Sequence, residues 1–171
     1  MAEIGIKSPG EKLPEFLERF SSQILATGDF RGDLEFEVGK ESIFDMLQFL
    51  KVERGFDFLI DLFGMDYSKF TPNPRGLAVI YILYSSRSLK RVRLKVILEE
   101  KSPIIQSVFR IFASANWLER EAWDMFGIQF KEHPNLRRIL CHSDFVGHPL
   151  RKSYPADQYQ RLKNAIDSTE M

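Results

Sequence analysis

The 171-residue sequence predicts an α+β fold, a two-layer sandwich in which helices cover one face of a mixed β-sheet, followed by an extended C-terminal tail. Segments with apolar residues at every third or fourth position alternate with segments in which every second residue is apolar. Beyond residue 130, prolines and glycines recur too often for a continuous helix. We therefore expect a globular domain over residues 1–130 and an extended, partner-binding C-terminal tail over residues 131–171.

The composition excludes several classes of protein. Twenty-four basic residues balance 24 acidic ones, so no net charge attracts the chain to nucleic acid or to anionic lipid. Cys141 is the only cysteine, which rules out an internal disulfide and the four thiolates that an iron-sulfur cluster normally requires. Residues 1–10 lack the apolar core of a signal peptide, and no run approaches the roughly 20 apolar residues of a membrane span.

The first third of the chain predicts two helices and one strand. Apolar residues at helical spacing predict an amphipathic helix over residues 11–25, and the glycines and aspartates of residues 27–33 predict a turn. Strict alternation over residues 34–38 predicts a half-exposed strand. Ser42 is the expected N-cap of a second helix that ends near Gly55.

The middle third predicts three strands and a short helix. Residues 56–66 are apolar on both faces and predict a central strand. A turn over residues 71–76 precedes a hairpin formed by residues 77–84 and 92–98. Residues 104–112 predict a short helix after Pro103.

The second strand of the hairpin carries a row of cations on one face, Arg91, Arg93 and Lys95. The favoured interpretation is a solvated edge strand, because charged edges discourage aggregation. The alternative is a surface that pairs with an acidic partner.

The best-marked helix covers residues 116–126. Asn116 and Glu119 have the spacing of a capping box, and Gly127 supplies the stop. Glu119 falls within the apolar arc, so it must accept the capping N–H groups or meet a cation, for which Arg137 and Arg138 are the candidates.

The two faces of this helix have different characters. The core face is expected to hold Leu118, Ala122, Trp123, Met125 and Phe126. The polar face is expected to hold Trp117, Arg120, Glu121 and Asp124. Trp117 is surrounded there by charges and is a candidate contact for a partner.

The tail contains all three histidines, His133, His142 and His148, together with Cys141. Their spacing matches no paired zinc-ligand motif, so polar anchoring is favoured over metal binding or nucleophilic catalysis. The basic pairs at residues 137–138 and 151–152 favour a protein interface over nucleic acid, because no aromatic stacking platform accompanies them. Numerous large apolar residues predict that the tail lies across a surface, either of its own domain or of a neighbour.

Three stretches of the chain together resemble one known family. Residues 115–128 read ANWLEREAWDMFGI, residues 133–140 read HPNLRRIL and residues 147–152 read GHPLRK. They are similar in order and spacing to the C-type, or thirty-kilodalton, subunit of the respiratory NADH dehydrogenase known as complex I. Residues 58–62, 66–67 and 91–96 resemble the less specific core of the family, so the resemblance covers about residues 34–154. Ser153 departs from it, since the family commonly has Asp there.

The resemblance implies a structural subunit of the peripheral arm of NADH:quinone oxidoreductase, on the cytoplasmic side of the bacterial inner membrane. Such a subunit supports the module in which NADH-to-quinone electron transfer is coupled to proton translocation, and it has no catalytic residues of its own. It binds no flavin, iron-sulfur cluster, quinone or metal itself, since FMN and the clusters reside in other subunits. Its expected partners are chiefly the D-type subunit, also known as the forty-nine-kilodalton type, and further the B-, I- and G-type subunits.

The expected partner interface combines residues of the marked helix and of the tail: Trp117, Arg120, Arg137, Arg138, His148, Arg151 and Lys152. Two other functions stay open at this point. One is the homologous subunit of a membrane-bound hydrogenase or of a ferredoxin- or formate-linked complex. The other is a free-standing enzyme that uses Glu119, Glu121 or the histidines.

Overall fold

The computed structural model describes residues 13–70, 75–158 and 160, and these residues form three helices and seven strands. The helices are α1 (Pro14–Arg19), α2 (Ile43–Val52) and α3 (Ala115–Phe126). The strands are β1 (Ile24–Phe30), β2 (Asp33–Val38), β3 (Phe58–Asp66), β4 (Leu77–Ser85), β5 (Lys90–Leu98), β6 (Ile104–Gln106) and β7 (Gln129–Lys131). The predicted turn over residues 71–76 and the predicted domain start lie largely outside the described residues.

The α+β prediction is confirmed. Five strands form a mixed sheet in the order β1-β2-β5-β4-β3, in which β2 and β5 are parallel and the other neighbours antiparallel. One apolar core joins all three helices to the sheet, with Phe16 of α1, Leu47 of α2 and Ala122 of α3 packed with Tyr81 and Leu94. No helix among the described residues is both long and apolar enough to cross a bilayer.

The first helix is shorter than predicted, because the last two residues of its predicted range, Ile24 and Leu25, belong to a strand. α1 ends at Arg19, and β1 runs from Ile24 to Phe30 through most of the predicted turn. The true turn is Arg31 and Gly32, which both have positive φ and connect β1 to β2 as a two-residue hairpin. Leu25, predicted on the core face of the helix, is 66% exposed.

A second correction concerns residues 104–112, which form no helix. β6 pairs in parallel with β7, more than twenty positions further along the chain, to form a separate two-stranded sheet. The β-branched pair Ile104 and Ile105 favours a strand once such a partner exists. The pairing is non-local, so the local pattern did not reveal it.

The cationic strand β5 lies inside the sheet and is not the solvated edge that the sequence favoured. Its parallel neighbour β2 supplies the acidic partners within the same chain. Glu35 binds both Arg93, at 3.5 Å, and Lys95, at 3.3 Å, and Glu37 lies 3.3 Å from the Lys95 ammonium. Opposite charges on adjacent strands stabilise the pairing of β2 with β5.

Gly64 allows α3 to approach β3 closely. A Cβ atom at this position would lie 2.5 Å from Cδ2 of Phe126. We expect Gly64→Ala to lower the free energy of unfolding by about 1 to 3 kcal/mol, because the ring must move within a packed core. Urea denaturation measures the change. Gly28→Ala is the matched control, since a Cβ there meets nothing within 4 Å, and equal losses in both variants would contradict the explanation.

Candidate functional site at the junction of helix α3 and the C-terminal tail

The tail packs against α3 of its own domain, and the Asp124 carboxylate is the centre of the contact. Its Oδ2 accepts three successive backbone N–H groups, from Ile139 at 3.0 Å, Leu140 at 2.8 Å and Cys141 at 2.9 Å. Its Oδ1 lies 2.5 Å from Nη1 of Arg138. Successive N–H groups form a concave anion site, which here holds a carboxylate of the same chain. Burial raises the pKa of Asp124, but these hydrogen bonds outweigh it and hold the pKa below its usual range.

Asp124 corrects the predicted polar face of the helix. The side chain points where the helical period places it, but the tail covers it completely. Arg120, from the same face, is also buried, and its guanidinium donates to the carbonyls of Arg137 and Arg138, both at 3.1 Å. Trp117 remains 61% exposed, with the Arg120 guanidinium 4.9 Å from its ring centre.

Arg138 connects α3 to two turns of the tail. Besides Asp124, it donates to the carbonyls of Phe145, at 2.7 Å, and Gly147, at 3.0 Å. A guanidinium has five N–H donors in a fixed plane and can therefore donate to several acceptors at once. The Arg138 guanidinium therefore binds Asp124 and carbonyls of the tail, and it is not the cation beside Glu119 that the sequence suggested.

The tail also caps the C-terminus of α3, whose last carbonyls have no partner within the helix. The Asp124 carbonyl lies 3.0 Å from Nδ1 of His148, which must carry the proton, because a carbonyl only accepts. The Met125 carbonyl accepts the Leu150 N–H at 3.1 Å, and the Phe126 carbonyl accepts Nε of Arg151 at 2.6 Å.

Two further contacts fix this end of the tail. Gly127 ends α3 with a φ of 72°, and a Cβ there would lie 2.6 Å from the His148 ring. The Lys152 N–H donates to Oδ2 of Asp66 at 2.7 Å, so the tail also touches the end of β3. Nothing in the sequence pattern indicated that Asp66 holds the tail.

Glu119 has different partners from those predicted. Ser107 donates to it at 2.6 Å and the Val108 N–H at 2.7 Å, while Asn116 lies inside the helix and forms no capping box. Glu119 is fully buried, and burial raises its pKa to about 7 although both hydrogen bonds lower it. The buried hydroxyl of Tyr81 has no hydrogen-bond partner among the described residues. Burial raises the pKa of Tyr81, and the nearby Glu119 raises it further.

The start of the tail is fixed beside Glu119. Nε2 of His133 lies 3.0 Å from the Asn116 carbonyl and 3.9 Å from Glu119, and Nδ1 accepts the Asn135 N–H. These roles define a neutral imidazole with the proton on Nε2, and burial lowers the pKa of His133. His133 and His148 are thus both anchors of the tail on α3.

The remaining candidates for chemistry do not converge. No group of three or more His, Cys, Asp or Glu side chains in the described part of the chain is arranged to hold a metal ion. Burial and the nearby Asp124 raise the pKa of Cys141, which disfavours the reactive thiolate. Trp123, predicted in the core, is half-buried and contacts the edge of the His148 ring.

The seven predicted interface residues therefore divide into two groups. The side chains of Arg120, Arg138, His148 and Arg151 bind within the chain, which leaves Trp117, Arg137 and Lys152 exposed. Around the junction, Leu140, Val146 and Leu150 are also exposed, by 62%, 72% and 52%. The role of all seven in an interface stays a prediction.

Two solved structures share the fold. The chain covers all of a trypsin-resistant fragment, residues 1–134, of Nqo5, with a TM-score of 0.65 and 32% identity over 75% of this chain. It also matches a chain of the membrane-bound sulfane sulfur reductase, an archaeal respiratory membrane complex, with a TM-score of 0.72 over 92% of this chain and 98% of that one. That second match has 21% identity and shows the fold alone. The fold thus belongs to the class of α+β domain that these two structures share.

Sequence relatives identify the family within this class. Residues 36–160 match the model of the respiratory-chain NADH dehydrogenase 30 kDa subunit, and the chain belongs to this family. The C-type subunit of NADH-quinone oxidoreductase from Geotalea uraniireducens is 44% identical over 138 residues, 81% of this chain and 82% of that protein. The combined C/D-type subunit from Bdellovibrio bacteriovorus is 43% identical over 135 residues, 79% of this chain and 23% of that longer protein. The family resemblance seen in the sequence is confirmed.

Proposed function

We propose that the chain is a structural subunit of the peripheral arm that binds no cofactor and supports assembly of the quinone-reducing module. In this role it contributes to NADH-to-quinone electron transfer and proton translocation without catalytic residues of its own. Its place is the cytoplasmic side of the bacterial inner membrane, where other subunits supply FMN, iron-sulfur clusters and the membrane attachment. The observation that carries the proposal is the junction, where buried hydrogen bonds fix the backbone while apolar side chains point outward.

The exposed side chains of the junction have the composition of an interaction surface. Trp117, Leu140 and Leu150 are each more than half exposed, although large apolar residues are normally buried. Asp124 and Arg120 fix the segment that carries Leu140, and the Met125 carbonyl fixes Leu150, so little ordering entropy is lost on binding. The exposed Arg137 adds a residue type that is common at interfaces.

The D-type subunit is the proposed partner of this surface, with the B-, I- and G-type subunits as further neighbours. The Bdellovibrio relative is named as a C/D-type subunit, and its length leaves room for a second subunit in the same polypeptide. Two subunits that are fused into one polypeptide in one species are commonly in contact where they are separate chains.

The test is co-purification of the D-type subunit with a variant whose exposed surface is altered. We expect Trp117→Ala combined with Leu140→Ser to keep its thermal stability, because both side chains are exposed, and to lose most of the bound D-type subunit. Leu25→Ser combined with Leu89→Ser is the matched control, since both leucines are exposed away from the junction. An undiminished yield of the D-type subunit with the first variant would refute this surface.

The homologous subunit of a hydrogenase or of a ferredoxin- or formate-linked complex is the second candidate, because the archaeal sulfane sulfur reductase shares the fold. The names of the sequence relatives favour the NADH-quinone enzyme. Mass spectrometry of the large subunit that co-purifies with the chain decides between them. A large subunit with nickel-binding cysteine pairs would establish the second candidate.

A further inference from the structure

We propose that the outer edge of β3, the side of the strand that faces away from β4, binds an extended strand of a neighbouring subunit. That strand carries a lysine or arginine opposite Asp61. The inference rests on the proposed function only in that the neighbour is a subunit of the same complex.

β3 is an edge strand with an unused row of backbone groups. It pairs with β4 from Phe58, opposite Tyr84, to Asp66, opposite Leu77. On its other side it forms no backbone hydrogen bond to any described residue. Such a row can pair with a strand of another chain.

The sequence of β3 does little to prevent such pairing. Edge strands are commonly protected by lysine or proline, and the nine residues FLIDLFGMD contain neither. A bulge interrupts the ladder between Leu59 and Asp61, but residues 61–66 pair regularly with β4. Phe58 and Ile60 are 55% and 51% exposed, so apolar surface lies beside the free backbone.

Charge indicates the chemistry of the partner strand. The Asp61 side chain is half-buried and forms no ion pair or hydrogen bond with any described residue, although its backbone pairs with β4. The other two acids of this region are occupied, since Asp57 binds Ser86 and Asp66 accepts the N–H groups of Ser68 and Lys152. β3 itself carries no basic residue, so a cation opposite Asp61 must come from another strand.

The position of the edge connects it to the junction. Lys152 of the tail binds Asp66 at the end of β3, so the tail surface and the strand edge are continuous. Leu62 and Gly64 lie on the face of β3 that is turned towards the core and α3. Successive side chains of a strand point to opposite faces, so Asp61, next to Leu62, lies on the face opposite α3. A neighbouring subunit that contacts the tail can therefore also place one of its strands along the edge of β3.

Hydrogen–deuterium exchange compares the isolated chain with the purified complex. The β3 amides that do not bond to β4 are expected to exchange at least about tenfold more slowly in the complex, because a tenfold change needs only one stable added bond. The amides of the other edge strand, β1, serve as the internal reference and are expected to stay unchanged. Equal exchange of β3 in both samples, or protection already present in the isolated chain, would overturn the inference.

Charge reversal tests the partner chemistry. Asp61→Lys is expected to lower incorporation of the chain into the complex about tenfold, whereas Glu18→Lys, on the exposed side of α1, leaves it unchanged. If Asp61→Lys unfolds, Asp61→Asn replaces it, with an expected loss of about threefold. Normal incorporation of a folded Asp61 variant overturns the basic partner.

The outcomes separate this inference from the proposed function. A chain that co-purifies with the complex while its β3 amides stay unprotected refutes the strand edge alone. A chain that co-purifies with no other component of the complex refutes both.

Discussion

Asp124→Ala is expected to release the tail from α3 and to lower the free energy of unfolding by about 3 to 5 kcal/mol. The substitution leaves the Arg138 guanidinium without its carboxylate in a largely buried position. It also leaves the N–H groups of Ile139, Leu140 and Cys141 without an acceptor. Each unsatisfied buried donor adds to the loss, which explains an effect larger than that of an exposed ion pair.

Two measurements check this effect. Urea denaturation gives the change in stability, and mass spectrometry after brief trypsin treatment gives the rate of cleavage after Arg138, which should rise as the tail detaches. Asp144→Ala is the matched control in the same tail, because Asp144 is exposed and is expected to change the stability by less than about 0.5 kcal/mol. If Asp124→Ala behaved like Asp144→Ala in both measurements, the junction would not hold the tail.

The parts of the fold that the sequence predicted are those with a strong local period. β2, β5, α2 and α3 lie close to their predicted ranges, because alternation or helical spacing over five or more residues reflects one buried face. β4 also lies close to its range as a continuous apolar run that is largely buried on both faces. β1 and the pair β6 and β7 were missed, since their strand character depends on partners rather than on their own pattern. Leu25 shows the difference, because its helical spacing was real but its side chain is exposed.

The site was predicted in its residue types but not in its contacts. A helical period gives the direction of the Asp124 side chain but not the later segment that covers it. Glu119 shows how one error produces another, since its true partners Ser107 and Val108 lie in the segment predicted as a helix. The other sequence signal for this site was Asp124, an acidic residue in a stretch whose basic residues require hydrogen-bond acceptors.

Glu119→Gln is expected to make the protein more stable than the wild type at pH 8 and to leave the two equally stable near pH 4.5. The Glu119 pKa of about 7 lies above the ordinary value of 4.5, so the folded protein keeps a proton that the unfolded chain has released. The stability contributed by the protonated carboxyl is thus complete below pH 4.5 and is lost as the pH rises through 7. A difference of this size corresponds to about 3 kcal/mol.

The pH window must separate Glu119 from its neighbour His133. Burial lowers the pKa of His133, so that group favours the folded state more as the pH rises towards 6.5, opposite in sign to Glu119. Above pH 6.5 the unfolded chain still loses the remaining proton of His133, but both proteins contain His133, so the difference between their curves belongs to Glu119. The glutamine variant accepts the Val108 N–H and donates to Ser107, so it keeps the contacts without the titration. Urea denaturation of both proteins from about pH 6.5 to 8 should show the stability of the wild type falling relative to that of Glu119→Gln, and parallel curves would mean that Glu119 is ionised throughout this range.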